Sequence, residues 1–154
     1  KAYIDVMQEL VEFDYVPDYI FIPSGTGSTH AGLLNGIAKL NLKTKVIGIS
    51  VGRTKSNAEK VISAFAKELS VKYKISNKIG EIIVDDTVLC GGYGKYNKEI
   101  EEISKNSLID YNIFLDTTYT GKTFYGMKKY MERNAIKGKI LFWYTGGIYN
   151  YLAK

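Results

Sequence analysis

The chain has 154 residues, of which 45% are hydrophobic and 24% are charged, and these values are typical of one globular domain. They exclude a disordered or collagen-like chain, the apolar runs are too short to cross a membrane, and one cysteine, Cys90, with one histidine, His30, leaves too few ligands for a metal site. The formal net charge is +5, but the lysines are scattered among acidic residues, so neither nucleic acid nor a membrane is expected as a partner.

Short apolar runs alternate along the chain with longer stretches in which apolar residues recur at helical spacing. The helical spacing predicts helices over 3–11, 29–40, 57–69, 97–105 and 123–134. The short runs predict strands over 19–22, 45–50, 81–84, 112–115 and 139–144. This alternation predicts an α/β domain with three layers, in which helices cover both faces of a mainly parallel sheet.

The loops that follow the predicted strands carry the most distinctive residues of the chain. Ligands of parallel α/β sheets bind beyond the carboxyl ends of the strands. Loops rich in glycine or hydroxyl groups lie at four such ends, after Ile22, Val84, Leu115 and Tyr144. Their shared placement predicts a ligand site at that edge of the sheet.

A loop of glycine and hydroxyl residues joins the first predicted strand to the next helix. Its glycines let backbone amides point inward, and the helix adds the positive end of its dipole, an arrangement that favours phosphate. The loop has neither a Walker lysine nor GxGxxG spacing. The alternative is a tight turn whose Ser and Thr side chains only cap the helix. The loop consists of Ser24, Gly25, Thr26, Gly27, Ser28 and Thr29.

Four segments, in this order, resemble one family of enzymes. They are residues 23–33, Gly92-Tyr93-Gly94, Tyr119-Thr120-Gly121-Lys122 and Thr145-Gly146-Gly147. The chain resembles pyridoxal-phosphate enzymes of the tryptophan synthase β-like fold, and within them the D-cysteine desulfhydrases and 1-aminocyclopropane-1-carboxylate deaminases. The resemblance implies pyridoxal 5'-phosphate as cofactor and a small amino acid as substrate.

The resemblance also implies roles for single residues. The loop Ser24–Thr29 would hold the cofactor phosphate, Thr120 would lie near the pyridine nitrogen, and Thr145 would lie in a neighbouring loop. Tyr93 and Tyr119 match the active-site tyrosines, one of which would move a proton while the other orients the substrate. A tyrosine needs a nearby cation to act as a base at neutral pH, because its ordinary pKa is about 10.

Thr120 favours one branch of the family. The deaminases carry a glutamate at the matching position, which keeps the ring nitrogen protonated, whereas a neutral hydroxyl supports a weaker electron sink. The weaker sink suits β-elimination from D-cysteine to pyruvate, sulfide and ammonia, and the alternative is deamination of 1-aminocyclopropane-1-carboxylate to 2-oxobutyrate. Two departures from the family's pattern, Asp116–Thr118 and Tyr144, leave the substrate open.

The resemblance covers residues 1–154 but only the C-terminal part of the family's chain, mostly its cofactor-binding domain. The family's Schiff-base lysine lies upstream, and Lys122 does not match it. We therefore expect this chain alone to be inactive, and the full-length form to be a cytoplasmic homodimer. A phosphate-ligand binding remnant without catalysis is a further alternative.

Four distinctive residues are expected to be structural. His30 follows the glycine loop at the start of a helix, where it would cap or pack. Cys90 would be a small loop residue and not a nucleophile, and the pair Asp85-Asp86 would end a strand without binding metal.

Overall fold

The computed structural model describes residues 1–152. Within them no helix has both the length and the apolar character needed to cross a membrane. In chain order the elements are α1 (Ala2–Glu12), β1 (Tyr19–Ser24), α2 (Ser28–Lys39), β2 (Lys45–Ser50), α3 (Lys55–Lys72), β3 (Ile83–Asp85), α4 (Lys98–Tyr111), α5 (Thr120–Arg133), β4 (Ile140–Phe142) and α6 (Ile148–Leu152).

The four strands form one parallel sheet in the order β3-β2-β1-β4. The register of β1 against β2 runs from Tyr19 opposite Lys45 to Ser24 opposite Ser50. The chain winds outward from β1 to β3 and then returns to β4 on the other side of β1, so the strand order reverses there. Ligands bind at such reversals, beyond the carboxyl ends of the strands.

Alternate side chains of the strands point into two separate cores. Ile20 and Ile22 pack into the core under α1, α2 and α3, whereas Phe21 between them packs into the core under α5. Side chains of neighbouring strand residues point to opposite faces, so both faces must be covered by helices. The predicted three-layer α/β fold with a parallel sheet is confirmed.

The predicted strand over 112–115 is wrong. Asn112 ends α4 in the left-handed conformation, and the segment after it pairs with no strand of the described sheet. Leu115 is fully buried, but its backbone is satisfied by serine hydroxyls: its N–H donates to Ser107 Oγ at 3.2 Å, and its carbonyl accepts from Ser104 Oγ at 2.5 Å. A buried apolar run with such partners needs no neighbouring strand.

The remaining predicted elements all form, with boundaries that differ by a few residues. The helix predicted over 123–134 begins at Thr120, and the one predicted over 97–105 extends to Tyr111. Asn97 caps α4, because its side chain accepts the Ile100 N–H at 3.0 Å.

Candidate functional site

A cavity of about 780 Å³ lies beyond the carboxyl ends of all four strands, at the edge of the sheet where the sequence predicted a ligand site. Residues from the loops after β1, β2, β3 and β4 and from the start of α5 contribute to its lining. The lining consists of Tyr3, Pro23, Gly25, Thr26, Thr29, Val51, Gly52, Arg53, Tyr93, Tyr119, Thr145, Gly146, Gly147 and Asn150.

The glycine loop leaves the first-turn amides of α2 without a side-chain cap. The N-cap residue is Gly27 in the left-handed conformation, with φ 89°, and no side chain accepts a hydrogen bond from the helix there. A Cβ on Gly27 would lie 2.8 Å from Ile62 Cγ1, so the turn also needs glycine for space. The alternative in which Ser or Thr caps this helix is therefore not observed.

The hydroxyl groups of the loop divide into two sets. Thr26 and Thr29 line the cavity, together with Gly25, and Thr26 Oγ1 lies 3.1 Å from Ser28 Oγ in a hydrogen bond. Ser24, Gly27 and Ser28 do not line it. The Ser24 hydroxyl is buried, and no partner is observed for it among the described residues.

Arg53 is a cation of the site that the sequence analysis missed. Its backbone is held by Ser50, whose Oγ accepts the Arg53 N–H at 3.1 Å and donates to the Arg53 carbonyl at 2.5 Å. Its Nη1 donates to the carbonyl of Gly25 in the glycine loop. The guanidinium therefore lies beside the glycine loop that leads into α2. Asn150, in α6, was also missed; no local pattern marked either residue.

Tyr93 and Tyr119 meet in the cavity from two distant loops. Their hydroxyl groups are hydrogen-bonded to each other, and their rings pack edge to face with centroids 5.8 Å apart. The bond to Tyr93, then burial, and then the charge of Asp116 raise the pKa of Tyr119 to about 12. Tyr119 therefore holds its proton at neutral pH and is a weaker acid than an ordinary tyrosine.

Asp116 fixes the turn that presents Tyr119. Its buried carboxylate accepts the backbone N–H groups of Thr118, Tyr119 and Thr120 at 2.8–3.0 Å and the Thr120 hydroxyl at 2.8 Å. Thr120 is fully buried and does not line the cavity. The structure thus places the Thr120 hydroxyl against Asp116.

The loop after β4 closes on the same carboxylate. Thr145 lines the cavity, and Gly147 adopts a φ of 111° with its Cα so close to Asp116 that a Cβ would lie 2.7 Å from Oδ1. Tyr144, one of the departures from the family's pattern, donates from its hydroxyl to the Phe114 carbonyl at 2.8 Å. The loops before α5 and after β4 are therefore packed together.

Lys122 is buried behind the tyrosines and does not line the cavity. Its Nζ donates to the carbonyls of Leu89 at 3.1 Å, Gly92 at 3.2 Å and Val51 at 3.5 Å. Burial lowers the pKa of this ammonium group, and the nearby Cys90 thiol partly opposes the change.

His30 lies beneath the glycine loop and is 1% exposed, as expected for a packing residue. Its Nδ1 and the Cβ of Ser24 both lie within 3 Å of the position that a Cβ of Gly48 would take. Neither ring nitrogen has a hydrogen-bond partner among the described residues. Burial lowers the pKa of His30 to about 4, although the nearby Val46 backbone favours the protonated ring.

Comparison with known proteins identifies the family. Residues 1–146 match the model of the family described as "Pyridoxal-phosphate dependent enzyme". The chain belongs to this family. Its cofactor is pyridoxal phosphate, as predicted, and the residues present fit that group. The first turn of α2 has neither a side-chain cap nor an acidic residue, and Arg53 donates to the carbonyl of Gly25 in the loop before it.

The similar proteins carry two different names. A Pyrococcus horikoshii protein, provisionally named 1-aminocyclopropane-1-carboxylate deaminase, is 34% identical over 135 residues, which are 85% of this chain and 40% of that protein. A Yersinia pestis D-cysteine desulfhydrase is 30% identical over 83% of this chain and 39% of its own length. A crystal structure of a protein described as an ACC deaminase homologue matches with a TM-score of 0.87 at 31% identity, covering 95% of this chain and 45% of that one.

The chain therefore spans about 40% of the length of the curated relatives that it matches. The family and its fold follow from these comparisons, and both names belong to the pyridoxal-phosphate enzymes that the sequence resembled. Which of the two substrates this protein uses does not follow from them.

Proposed function

We propose that the cavity binds pyridoxal phosphate and that the protein catalyses β-elimination from D-cysteine, with water, to pyruvate, sulfide and ammonia. The observation that carries the proposal is the meeting of two features in one cavity. Thr29, in the uncapped first turn of α2, lines the same cavity as Tyr93 and Tyr119, whose hydroxyls are hydrogen-bonded to each other. The cofactor, when bound, supplies an electron sink for a carbanion at the substrate α-carbon.

In this proposal the backbone of the glycine loop binds the phosphate. Amides at a helix N-terminus point at an anion, and the helix dipole favours its negative charge. Thr26 and Thr29 lie on the same side of the cavity and can donate from their hydroxyls. Arg53 adds the positive charge that the loop, which has no lysine, does not supply.

The tyrosine pair moves the proton. The Tyr119 Oη carries a proton at neutral pH, and in this proposal it gives that proton to the departing sulfur, although the bond to Tyr93 makes it a weaker acid than an ordinary tyrosine. Tyr93 accepts or returns a proton through the bond that joins the two hydroxyls. The pair thus supplies an acid where elimination needs one.

The charges around the cavity favour D-cysteine. The residues lining it include one arginine and neither aspartate nor glutamate, and the nearby Asp116 carboxylate is engaged by three backbone amides and Thr120. Among the described residues that line the cavity, none would supply a carboxylate to keep the nitrogen of a bound pyridine ring protonated. Elimination of sulfide, a good leaving group, needs a weaker electron sink than opening a cyclopropane ring.

Deamination of 1-aminocyclopropane-1-carboxylate is the second candidate, favoured by the names of the Pyrococcus relative and of the matched crystal structure. A third is a binding remnant that keeps the phosphate site without catalysis. For the full-length form we further propose a cytoplasmic homodimer, which size-exclusion chromatography and cell fractionation would test.

The test is a chimera in which this chain replaces the matching segment of the Pyrococcus horikoshii protein. We expect release of pyruvate and sulfide from D-cysteine, no 2-oxobutyrate from 1-aminocyclopropane-1-carboxylate, and loss of turnover with Tyr119→Phe. Release of 2-oxobutyrate would make the protein a deaminase instead. A chimera that binds pyridoxal phosphate, measured by fluorescence titration, but turns over neither substrate would support the binding remnant.

A further inference from the structure

Lys122 carries a buried charge without a carboxylate partner. Its side chain has no exposed surface, and its three hydrogen-bond acceptors are the backbone carbonyls of Leu89, Gly92 and Val51. Burying an ammonium group is costly unless hydrogen bonds compensate, so an apolar side chain of equal volume would fill this space at lower cost. The position of the three carbonyls in the fold indicates which part of the structure Lys122 stabilises.

The carbonyls belong to the two loops that surround Tyr93. Gly92 directly precedes Tyr93, Leu89 begins the same turn, and Val51 lies in the loop after β2. Lys122 itself lies in the first turn of α5, three residues after Tyr119. One side chain therefore ties the backbone next to Tyr93 to the helical turn that presents Tyr119.

Packing holds this loop weakly. Tyr93 is 63% exposed, and a Cβ added to Gly91, Gly92 or Gly94 would meet no atom within 4 Å. The backbone bonds within the loop are local, from Gly92 N to Leu89 O and from Lys95 N to Gly92 O. Loops with few buried contacts open easily. Tyr93 packs against Gly52, and the bonds from Lys122 join the backbone of this loop to the interior.

We propose that Lys122 is a positioning residue, whose buried ammonium group binds the carbonyls of the Tyr93 loop and so holds the Tyr93 hydroxyl against that of Tyr119. The inference rests on the proposed function, in which the tyrosine pair moves the proton. Lys122 touches neither the cavity nor the tyrosine hydroxyls, and it acts only through the backbone that it binds.

The test is the titration of Tyr119 in Lys122→Met, with Lys128→Met, an exposed lysine of the same helix, as the matched control. Tyrosine labelled at 13Cζ is followed by NMR, and the Tyr119 signal is assigned by its absence in Tyr119→Phe. We expect the Tyr119 pKa to fall from about 12 toward 10 in Lys122→Met, a loss of proton affinity of about tenfold or more, and to stay near 12 in Lys128→Met.

The direction of the shift separates positioning from a direct charge effect. Removing a nearby positive charge raises the pKa of a tyrosine, whereas releasing Tyr93 from its bond to Tyr119 lowers it. An unchanged or raised Tyr119 pKa in Lys122→Met would overturn the proposal. Tyr93→Phe should lower the Tyr119 pKa by the same amount as Lys122→Met. The double variant, with both substitutions, should show no further fall, because both break the bond between Tyr93 and Tyr119.

A merely structural role is tested with Ile37→Val, which removes one methylene from the core under α2. This variant should lower the melting temperature and leave the Tyr119 pKa near 12. If Lys122→Met does not fold, Lys122→Leu, which also removes every side-chain N–H donor, is titrated in its place. A fall in the Tyr119 pKa supports the proposal, and no fall overturns it.

The titration needs neither cofactor nor substrate, so it tests the role of Lys122 independently of the proposed reaction. An inactive chimera with a shifted Tyr119 would leave the role of Lys122 intact and remove the proposed reaction. In an active chimera, Lys122→Met should lower kcat about tenfold with little change in KM, because the lysine does not touch the substrate. An unchanged kcat would count against positioning.

Discussion

The two sides of the cavity are built in different ways. On the proposed phosphate side, one contiguous loop, Ser24–Thr29, leads into the uncapped start of α2, and Arg53 donates to it from the loop after β2. On the tyrosine side, Tyr93 and Tyr119 come from separate loops. The Asp116 carboxylate accepts the Tyr119 N–H, and Lys122 donates to the carbonyl that precedes Tyr93. The first depends on backbone conformation, and the second depends on side chains brought together by the fold.

The difference predicts different sensitivities. A backbone site tolerates exchange of its hydroxyl side chains but not a change in its turn. A site of paired side chains fails when either partner, or a residue that positions it, is altered. Four substitutions probe this comparison, from the largest expected effect to the smallest.

Asp116→Ala should have the largest effect. It removes a buried carboxylate with four hydrogen bonds and leaves three amides at the start of α5 without their partner. We expect a loss of about 4 kcal/mol in the free energy of unfolding, measured with urea. Asp110→Ala, an exposed acid in α4, should change it by less than about 0.5 kcal/mol. Equal effects would contradict the role of Asp116.

His30→Gln tests the support beneath the phosphate side through pH. The folded state holds His30 with a pKa of about 4 and the unfolded state near 6.5, so the unfolded state binds more protons in between. Stability from this group is therefore complete above pH 6.5 and is lost as the pH falls to about 4, by an amount on the order of 3 kcal/mol. In urea unfolding, the free energy of unfolding of His30→Gln should fall less between pH 6.5 and about pH 4 than that of the unchanged protein. Identical pH profiles for the two proteins would contradict the account.

Gly27→Ala should distort the backbone of the phosphate loop. The new Cβ would lie 2.8 Å from Ile62 Cγ1 at a φ of 89°, so we expect a loss of about 2 kcal/mol in unfolding free energy. In Gly25→Ala the Cβ would meet Val51 at an ordinary 3.5 Å, without a positive φ, and stability should barely change. If both variants were equally stable, Gly27 would not control the turn.

Arg53→Gln should have the smallest effect. Its side chain is exposed and adds charge beside the glycine loop, whose backbone stays in place, so we expect about tenfold weaker binding of pyridoxal phosphate by fluorescence titration. Lys55→Gln, two residues away on α3, serves as the control and should bind normally. The Tyr119 titration should be unchanged in both, because Arg53 belongs to the other side of the cavity.

The same difference explains what the sequence could predict. The parallel sheet follows from contiguous patterns and is confirmed, and phosphate binding by the glycine loop stays a prediction from a contiguous pattern. Lys122 and Arg53 could not be placed, because their partners are backbone carbonyls that only the folded chain brings near. The predicted strand at 112–115 failed for a related reason, since serines of α4 satisfy Leu115 where a neighbouring strand was expected.

Thr120 shows the limit of motif matching. Its position in Tyr119-Thr120-Gly121-Lys122 implied a role near the cofactor ring, and that role stays a prediction. The structure adds that its hydroxyl donates to Asp116 at 2.8 Å and that its Oγ1 accepts the Asp116 N–H at 2.9 Å. A pattern of residue types does not reveal such local pairing.

The most direct test of the account is amide NMR of the chain titrated with pyridoxal phosphate and, separately, with pyridoxal. We predict that the amide signals of residues 25–29 shift with pyridoxal phosphate and much less with pyridoxal, because the phosphate binds there. Unmoved signals in this loop would contradict the account. So would shifts concentrated instead at Lys43, Lys45 and Lys137, which lie together at the opposite end of the sheet.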